Sequence, residues 1–541
     1  MIFCQIQLSG LDYLMVVLYA LVVIGLGLWF AREQKTSSDY LLAGRSMGWI
    51  AVGISQLASL LSAISYLGNP GEAYGHNASY LLFTLCGYLS VPIVIVLFLN
   101  FFYRLQITSI YEYLELRFNY RVRLLAGVIF IASRLAWMAT IVTAISVAME
   151  KLTGMEPTHC IVATTAIATS YTLVGGMKAI IWTDVIQFFL FTVGLVGSVV
   201  IIVWKDGTGP LIDEVVAADK LRMFNFSLDP TVRITVWTCI LAGVVNGVAN
   251  LTDQVSMQRY LSTNSLREAQ KAVWLKPVLA VPLVLLTFAL GFSLYGHYQM
   301  NPELAAGIQS PDQAFPHFIL HEMKGGLAGL IIAAIFAAAM SSIDSGVHTV
   351  STVCVEDYYR RMINPHASDG RCLFLARVLI VAWATVIAVV ALALVGRDTI
   401  TGMMFSVVAP FFGCAVGLFM LGTGTRRVTA GGAFFGALIG YALVLWVKFG
   451  LVRTADGWSI MPWLLDEQVR ASAVTVSKFW LAFVSFSGTL VSAYSISLFQ
   501  QRPGPEKING LTVWSSDSGS SASLETQGST AGAIDKARPS T

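Results

Sequence analysis

Apolar stretches about as long as a bilayer is thick follow one another along nearly the whole chain, and this repetition limits the possible folds more than any other feature. A helix needs about 20 apolar residues to cross the hydrocarbon core, and it must pair its own backbone N–H and C=O groups there. Thirteen such runs are legible, at roughly 10–31, 46–70, 78–103, 123–150, 157–175, 180–204, 231–252, 272–297, 325–354, 372–396, 401–423, 428–449 and 476–500. Hydrophobic residues make up 56% of the chain and charged ones 12%, against about 25% charged in soluble domains. A soluble fold is excluded, and the sequence implies an all-α polytopic membrane protein with about 13 transmembrane helices and the lipid bilayer as its first partner. The net charge of +3 is too small and too dispersed for a nucleic-acid partner. Cys4, Cys86, Cys160, Cys239, Cys354, Cys372 and Cys414 are scattered singly and read as small apolar fillers, not as a disulfide framework or a zinc site.

No Lys or Arg precedes Leu11, so the first run is expected to be a retained span; Arg32 and Lys35 follow it and should hold that end inside. With the N-terminus outside and thirteen spans, the inside loops and tail carry 22 Lys and Arg against 11 outside. This bias supports a multi-pass protein of the cell membrane with a cytoplasmic C-terminus. The division expected is an extra N-terminal helix and loop over 1–45, a core over 46–424, two further helices over 425–500, and a disordered tail over 501–541, where Ser, Gly, Thr and Pro replace apolar residues. Gly432, Gly436 and Gly440, four apart, are expected to serve close helix packing.

Two spans carry an unusual polar load. The second runs through Ser55, Gln56, Ser59, Ser62 and Ser65 into Gly68, Asn69, Pro70 and Gly71; the seventh holds Gly243, Asn246, Gly247, Asn250 and Thr252 before Asp253. Such residues at membrane depth are tolerated where backbone lines a cavity. The segments lie five spans apart, and five is odd, so five-span repeats would face opposite ways with paired interrupted helices at a midplane site. Against this, a serine can simply bond back to its own helix. In the ninth span, AAIFAAAMSSIDSGVHTVST, Ser341 and Ser342 lie three and four residues after Ala338, which puts two hydroxyls and a carbonyl on one helix face. A hard monovalent cation wants such oxygens.

DYLLAGRSMGW, ITSIYEYLELRF, YTLVGGMKAIIWTDVIQ, DQVSMQRYLS and AAAMSSIDS, together with the serine-rich second span, give the chain a resemblance to the sodium/solute symporter family. The resemblance implies a LeuT-like core of two inverted five-helix repeats, about 46–204 and 231–424, with one extra N-terminal and two extra C-terminal helices. It implies a coupling sodium ion held by carbonyls of Ala58, Leu61 and Ala338 and hydroxyls of Ser341 and Ser342. No other cofactor is implied. A second sodium between Asp184, Ser341, Asp344 and Ser345 is also suggested, although Asp344 stands where the family has a serine; the alternative is that these acids are a charge pair and a helix-end acid. Ser65, Tyr66, Arg134, Asn246 and Asn250 are the candidate substrate pocket.

Ile64 and Ser65 replace the Glu-Gln pair of the family's sugar carriers, and DQVSMQRYLS is closer to members carrying monocarboxylates, vitamins or other anions. Arg134 lies about 15 Å into the membrane at the helical rise and needs a partner there: a substrate carboxylate, or an internal acid such as Asp184 or Asp344. His317 and His321, with Glu322, have an i, i+4 spacing, but on an outside loop without a third ligand they read as polar surface. The function expected is sodium-driven import of a small organic solute, preferably a carboxylate, by alternating access, and not covalent catalysis. A sugar or polyol symporter is the alternative within the family. A transporter-like sensor would need an output domain that the tail does not supply, and a channel would need a continuous pore.

Overall fold

The computed structural model describes residues 8–514 apart from 63, 324, 396–407, 456, 461, 465, 468 and 470–472. Cys4, the first residues of the eleventh expected span and the tail beyond 514 lie outside the described residues. Within them nine helices are long and apolar enough to cross a membrane, with three shorter apolar helices, Trp49–Ala58, Val236–Thr252 and Pro410–Gly424. The architecture is the expected helical one. A small antiparallel sheet departs from the all-α expectation: Val452–Thr454 pairs with Gly457–Ser459 on one side and Val474–Thr475 on the other.

The helix Leu327–Val353 forms the centre. Most of its apolar window is buried (83%, measured over Leu327–Ile363), whereas Gly10–Ala31 has only 17% of its window buried and shows its apolar side to the surroundings. Alanines at 333, 334 and 337–339 let neighbouring helices approach the central one closely. Gly10–Ala31 starts with a capping box in which the Ser9 side chain accepts from Asp12 N–H. The same Asp12 carboxylate accepts from Gly329 N–H at 2.7 Å, fastening the peripheral helix to the start of the central one.

Pro157–Asp206 contains 50 residues, about 75 Å at the helical rise and too long for one crossing. It divides at Gly176 (φ 59°, ψ −163°), a conformation open to glycine alone at ordinary cost. Gly432, Gly436 and Gly440 pack against Leu481–Leu498 as expected: a Cβ on Gly436 would come within 2.4 Å of the Ala493 Cβ.

The second span is interrupted where expected. Trp49–Ala58 ends, the chain turns through 59–62, a π turn occupies Ile64–Gly68, and Asn69–Gly75 resumes with Pro70 in its first turn. The seventh differs. Gly243 and Gly247 do not break it; they admit the neighbouring helix Ser79–Gly87, since a Cβ on Gly247 would sit 1.9 Å from the Gly87 carbonyl oxygen. The chain leaves helical geometry only at Asp253 (φ −70°, ψ 164°), which caps Gln254–Tyr260 through Ser256 N–H.

Part of the segment expected to be a disordered tail is folded back on the helices, with Leu511 and Thr512 buried. Tyr113 donates to the Leu511 carbonyl (2.8 Å), Val513 N–H to Thr423 (2.9 Å) and the Trp514 indole to Gly424 (2.6 Å). Arg117 reaches the Gly422 and Thr425 carbonyls beside them. These bonds compensate for the segment's low apolar content.

Candidate functional site

Where Trp49–Ala58 loses its helical course, carbonyl groups are released from the helix ladder, and the serines of the central helix meet them. Ser341 Oγ donates to the Ala58 carbonyl at 3.0 Å and lies 3.1 Å from that of Ala338; Ser342 Oγ donates to Ser59 at 2.9 Å. Ala58, Leu61, Ala338 and Ser341 line one small cleft, closed by Gln187, Phe188 and Phe191. The five residues expected around a sodium ion are therefore neighbours. Hydroxyl and carbonyl oxygens already in contact can converge on a monovalent cation once the hydroxyl protons turn away.

Asp184, Asp344 and Ser345 adjoin that cleft and are fully buried. Ser345 Oγ lies 2.5 Å from the Ser341 carbonyl and 2.9 Å from Asp344 Oδ1, and Tyr171 donates to Asp344 Oδ2 at 2.7 Å. Asp184 Oδ2 accepts from Ser55 (2.5 Å) and from Arg259 Nη2 (2.9 Å), and Arg259 also bonds Ser55 (2.8 Å) and Ser345. Arg259 is fully buried, although by sequence it falls between the seventh and eighth runs and counts among the inside-loop charges. The group holds two carboxylates and one guanidinium, a formal charge of −1, and Asp184 Oδ1 is enclosed without a hydrogen-bond partner.

Arg134 is paired with Asp253, the two side chains being 4% and 12% exposed. Neither Asp184 nor Asp344 is its partner. The rings of Trp137 and Phe412 lie 6.0 Å from its guanidinium carbon.

A separate central cavity is lined by Ser65, Asn69, Asn246, Asn250 and Lys276 among aromatic side chains that include Tyr80 and Trp137. Three of the expected pocket residues, Ser65, Asn246 and Asn250, are on its wall. Arg134 and Tyr66 are not. Tyr66 is fully buried against Phe191 and Phe315, with ring centroids 4.7 and 5.6 Å away, and Phe315 belongs to the short helix Ala314–Glu322, so Tyr66 packs against this covering helix. His317 and His321 lie on the same helix with their rings stacked at 4.0 Å, and His317 Nδ1 lies 3.1 Å from the Tyr298 hydroxyl.

Lys276 is 4% exposed, and among the described residues no carboxylate pairs with it. By sequence it sits at the edge of the eighth run, 272–297, and counts among the inside-loop charges. The legible signal is Ser265, whose side chain caps Leu266–Met300 by accepting from Glu268 N–H. From there Lys276 is ten residues into the helix, about 15 Å.

Residues 40–440 match the sodium:solute symporter family. The chain is 32% identical over 449 residues to the sodium/sialic acid symporter SiaT of Proteus mirabilis, covering 81% of this chain and 90% of that protein. It is 30% identical over 452 residues to sodium-coupled monocarboxylate transporter 1 of Xenopus laevis, covering 81% and 72%. The solved structure of a Na+-coupled sialic acid symporter in a substrate-bound outward-open state superposes with a TM-score of 0.81 at 27% identity, covering 91% of this chain and 99% of that one.

Proposed function

Because the chain belongs to the sodium:solute symporter family and is a sodium-coupled carrier, not an enzyme, we propose that the small solute it moves with sodium is a carboxylate. The observation that carries this reading is Lys276, a buried amine in the wall of the central cavity, whose lining holds no acid among the described residues. A buried ammonium without a counter-charge is costly, and an incoming carboxylate supplies one. Asn246 and Asn250, whose side-chain oxygens have no hydrogen-bond partner, and Ser65 are placed to read hydroxyl or amide groups on the rest of the solute.

The coupling ion is assigned to Ala58, Leu61, Ala338, Ser341 and Ser342, and a second cation to Asp184, Asp344 and Ser345. Energetics favour two. One sodium with one carboxylate is electroneutral, so a tenfold sodium ratio supports only about tenfold accumulation. Two sodium ions add a net charge, worth about 2.3 kcal/mol at 100 mV, and lift the limit to on the order of several thousandfold. The surplus negative charge of the Asp184–Arg259–Asp344 group and the unpartnered Asp184 Oδ1 suit that second ion. The wider layout we propose is thirteen spans, a core of two inverted five-helix repeats, the N-terminus outside and the C-terminus cytoplasmic.

The test is uptake into proteoliposomes, with and without a sodium gradient, of labelled carboxylic acids (a short monocarboxylate and a sialic acid) and their amides. A charge-assisted hydrogen bond is worth about 1.5–3 kcal/mol, so Lys276→Gln should raise KM for the acid on the order of 10- to 150-fold and leave an amide nearly unchanged. Uptake of sugars but no acid, or equal effects on acid and amide, would overturn the reading.

A further inference from the structure

Near the start of Leu266–Met300 four outward-facing residues form a graded stripe. Arg267, Lys271, Trp274 and Val278 follow at i, i+4, i+7 and i+11, one face of a helix, and all four are exposed, Trp274 by 52% and Val278 by 65%. The face is cationic over its first turn and apolar over its last, about 16 Å in all at the helical rise. Trp49 and Ile95 form the opposite wall of the groove beside it, with Lys271 Nζ 5.7 Å from the Trp49 ring centroid. No acidic side chain lines this groove among the described residues, and no ion pair there joins Arg267 or Lys271 to an acid.

Two unneutralised cations beside a tryptophan pair at the end of a spanning helix, continuing into apolar wall, match a glycerophospholipid whose headgroup is anionic: phosphate at the cations, acyl chain along Trp274 and Val278. From this charge and apolar complementarity we infer that the groove between Trp49 and Lys271 binds an anionic phospholipid. The site touches the transport machinery. Trp49 opens the half-helix that ends at Ala58, and that half-helix is seated tightly on the same wall, since a Cβ on Gly53 would fall 2.8 Å from Leu275 Cδ2 and 3.1 Å from the Ala272 carbonyl. A lipid held here braces the base of the segment that offers its carbonyls to the coupling ion.

The experiment is native mass spectrometry of the delipidated full-length protein titrated with equal phosphatidylglycerol and phosphatidylcholine, beside thermal midpoints with each lipid and with inorganic phosphate. Each cation near a membrane surface contributes about 1 kcal/mol, a fivefold preference. Arg267→Gln or Lys271→Gln should each lower the phosphatidylglycerol preference about fivefold, and both together about 30-fold, while Arg121→Gln with Arg371→Gln, the same loss of charge elsewhere, should leave it. Equal retention of the two lipids by the wild type, undiminished retention in both single variants, an equal loss in the control pair, or stabilisation by inorganic phosphate alone would each overturn the proposal.

Discussion

The Arg134–Asp253 pair offers a quantitative test, because each member is left in a different predicament when the other is removed. Asp253→Asn keeps the cap on Gln254–Tyr260, since an amide oxygen can still accept from Ser256 N–H, now 2.8 Å from Asp253 Oδ1, but it strands a guanidinium that is 4% exposed. The rings of Trp137 and Phe412 at 6.0 Å compensate by about 1–2 kcal/mol at most. Breaking a buried pair costs about 3–5 kcal/mol, so a net loss of about 3 kcal/mol is expected. Arg134→Met strands a carboxylate that retains one backbone donor and 12% exposure, and should cost slightly less, about 2–3 kcal/mol. The double variant buries no unpaired charge and should lose only about 1–2 kcal/mol relative to wild type, giving a coupling of about 3–5 kcal/mol in SDS-titrated unfolding in mixed micelles. Additive losses, with coupling below about 0.5 kcal/mol, would refute the structural pair. Because the double variant folds, it also tests recognition: selective loss of carboxylate affinity, with an amide analogue still carried, would return Arg134 to the solute.

Ser341→Ala and Ser342→Ala should each raise the sodium concentration for half-maximal uptake, and the double variant should largely abolish sodium-driven uptake at normal expression, since alanine suits a helix; unchanged sodium dependence would reject the assignment. Two sodium ions per solute are expected from paired tracer fluxes, falling to one in Asp184→Asn or Asp344→Asn; one per solute, unaltered by either change, would exclude the second ion. Outside the membrane, burial chiefly and the Asp357 carboxylate push Glu112 up to about 7 against the pull of Arg123. A carboxyl raised on folding favours the folded state at low pH, and that contribution is lost as pH rises through about 7. Glu112→Gln should therefore gain thermal stability relative to wild type at pH 8 compared with pH 5.5; a pH-independent difference would count against the raised carboxyl.

What could be read from the sequence was what local spacing encodes. Ser341, Ser342 and Ala338 share a face by helical arithmetic alone, and the break after Ala58 is announced by the serines around it, whereas Gly68 and Pro70 lie within the resumed helical course. The depth of Arg134 followed from the same arithmetic, but its partner did not. Asp253 lies at the end of another span, and no periodicity links the two. Lys276 sits at the edge of the eighth run, whereas the cap at Ser265 draws the helix start back and puts it about three turns in; Arg259 lies in the short helix Gln254–Tyr260 between two runs, where only tertiary contacts reveal its burial. Gly243 and Gly247 have the composition of a break yet serve contact with Gly87, a choice decided by the neighbour. The strands at Val452–Thr454 and Gly457–Ser459 are too short for alternation to register.

The docked segment at 505–514 also bears on how the molecule is assembled. Its bond from Tyr113 to Leu511 spans 398 positions, and Val513 and Trp514 reach carbonyls of a helix end near 424. At about 5–20 residues per second, the helix carrying Tyr113 waits roughly 20–80 s after its own synthesis before Leu511 exists. Throughout that interval the face around Arg117 lacks its final cover, so a ribosome stalled between the last span and Leu511 should display an inserted chain whose 111–117 segment is still open to proteolysis, and release should close it.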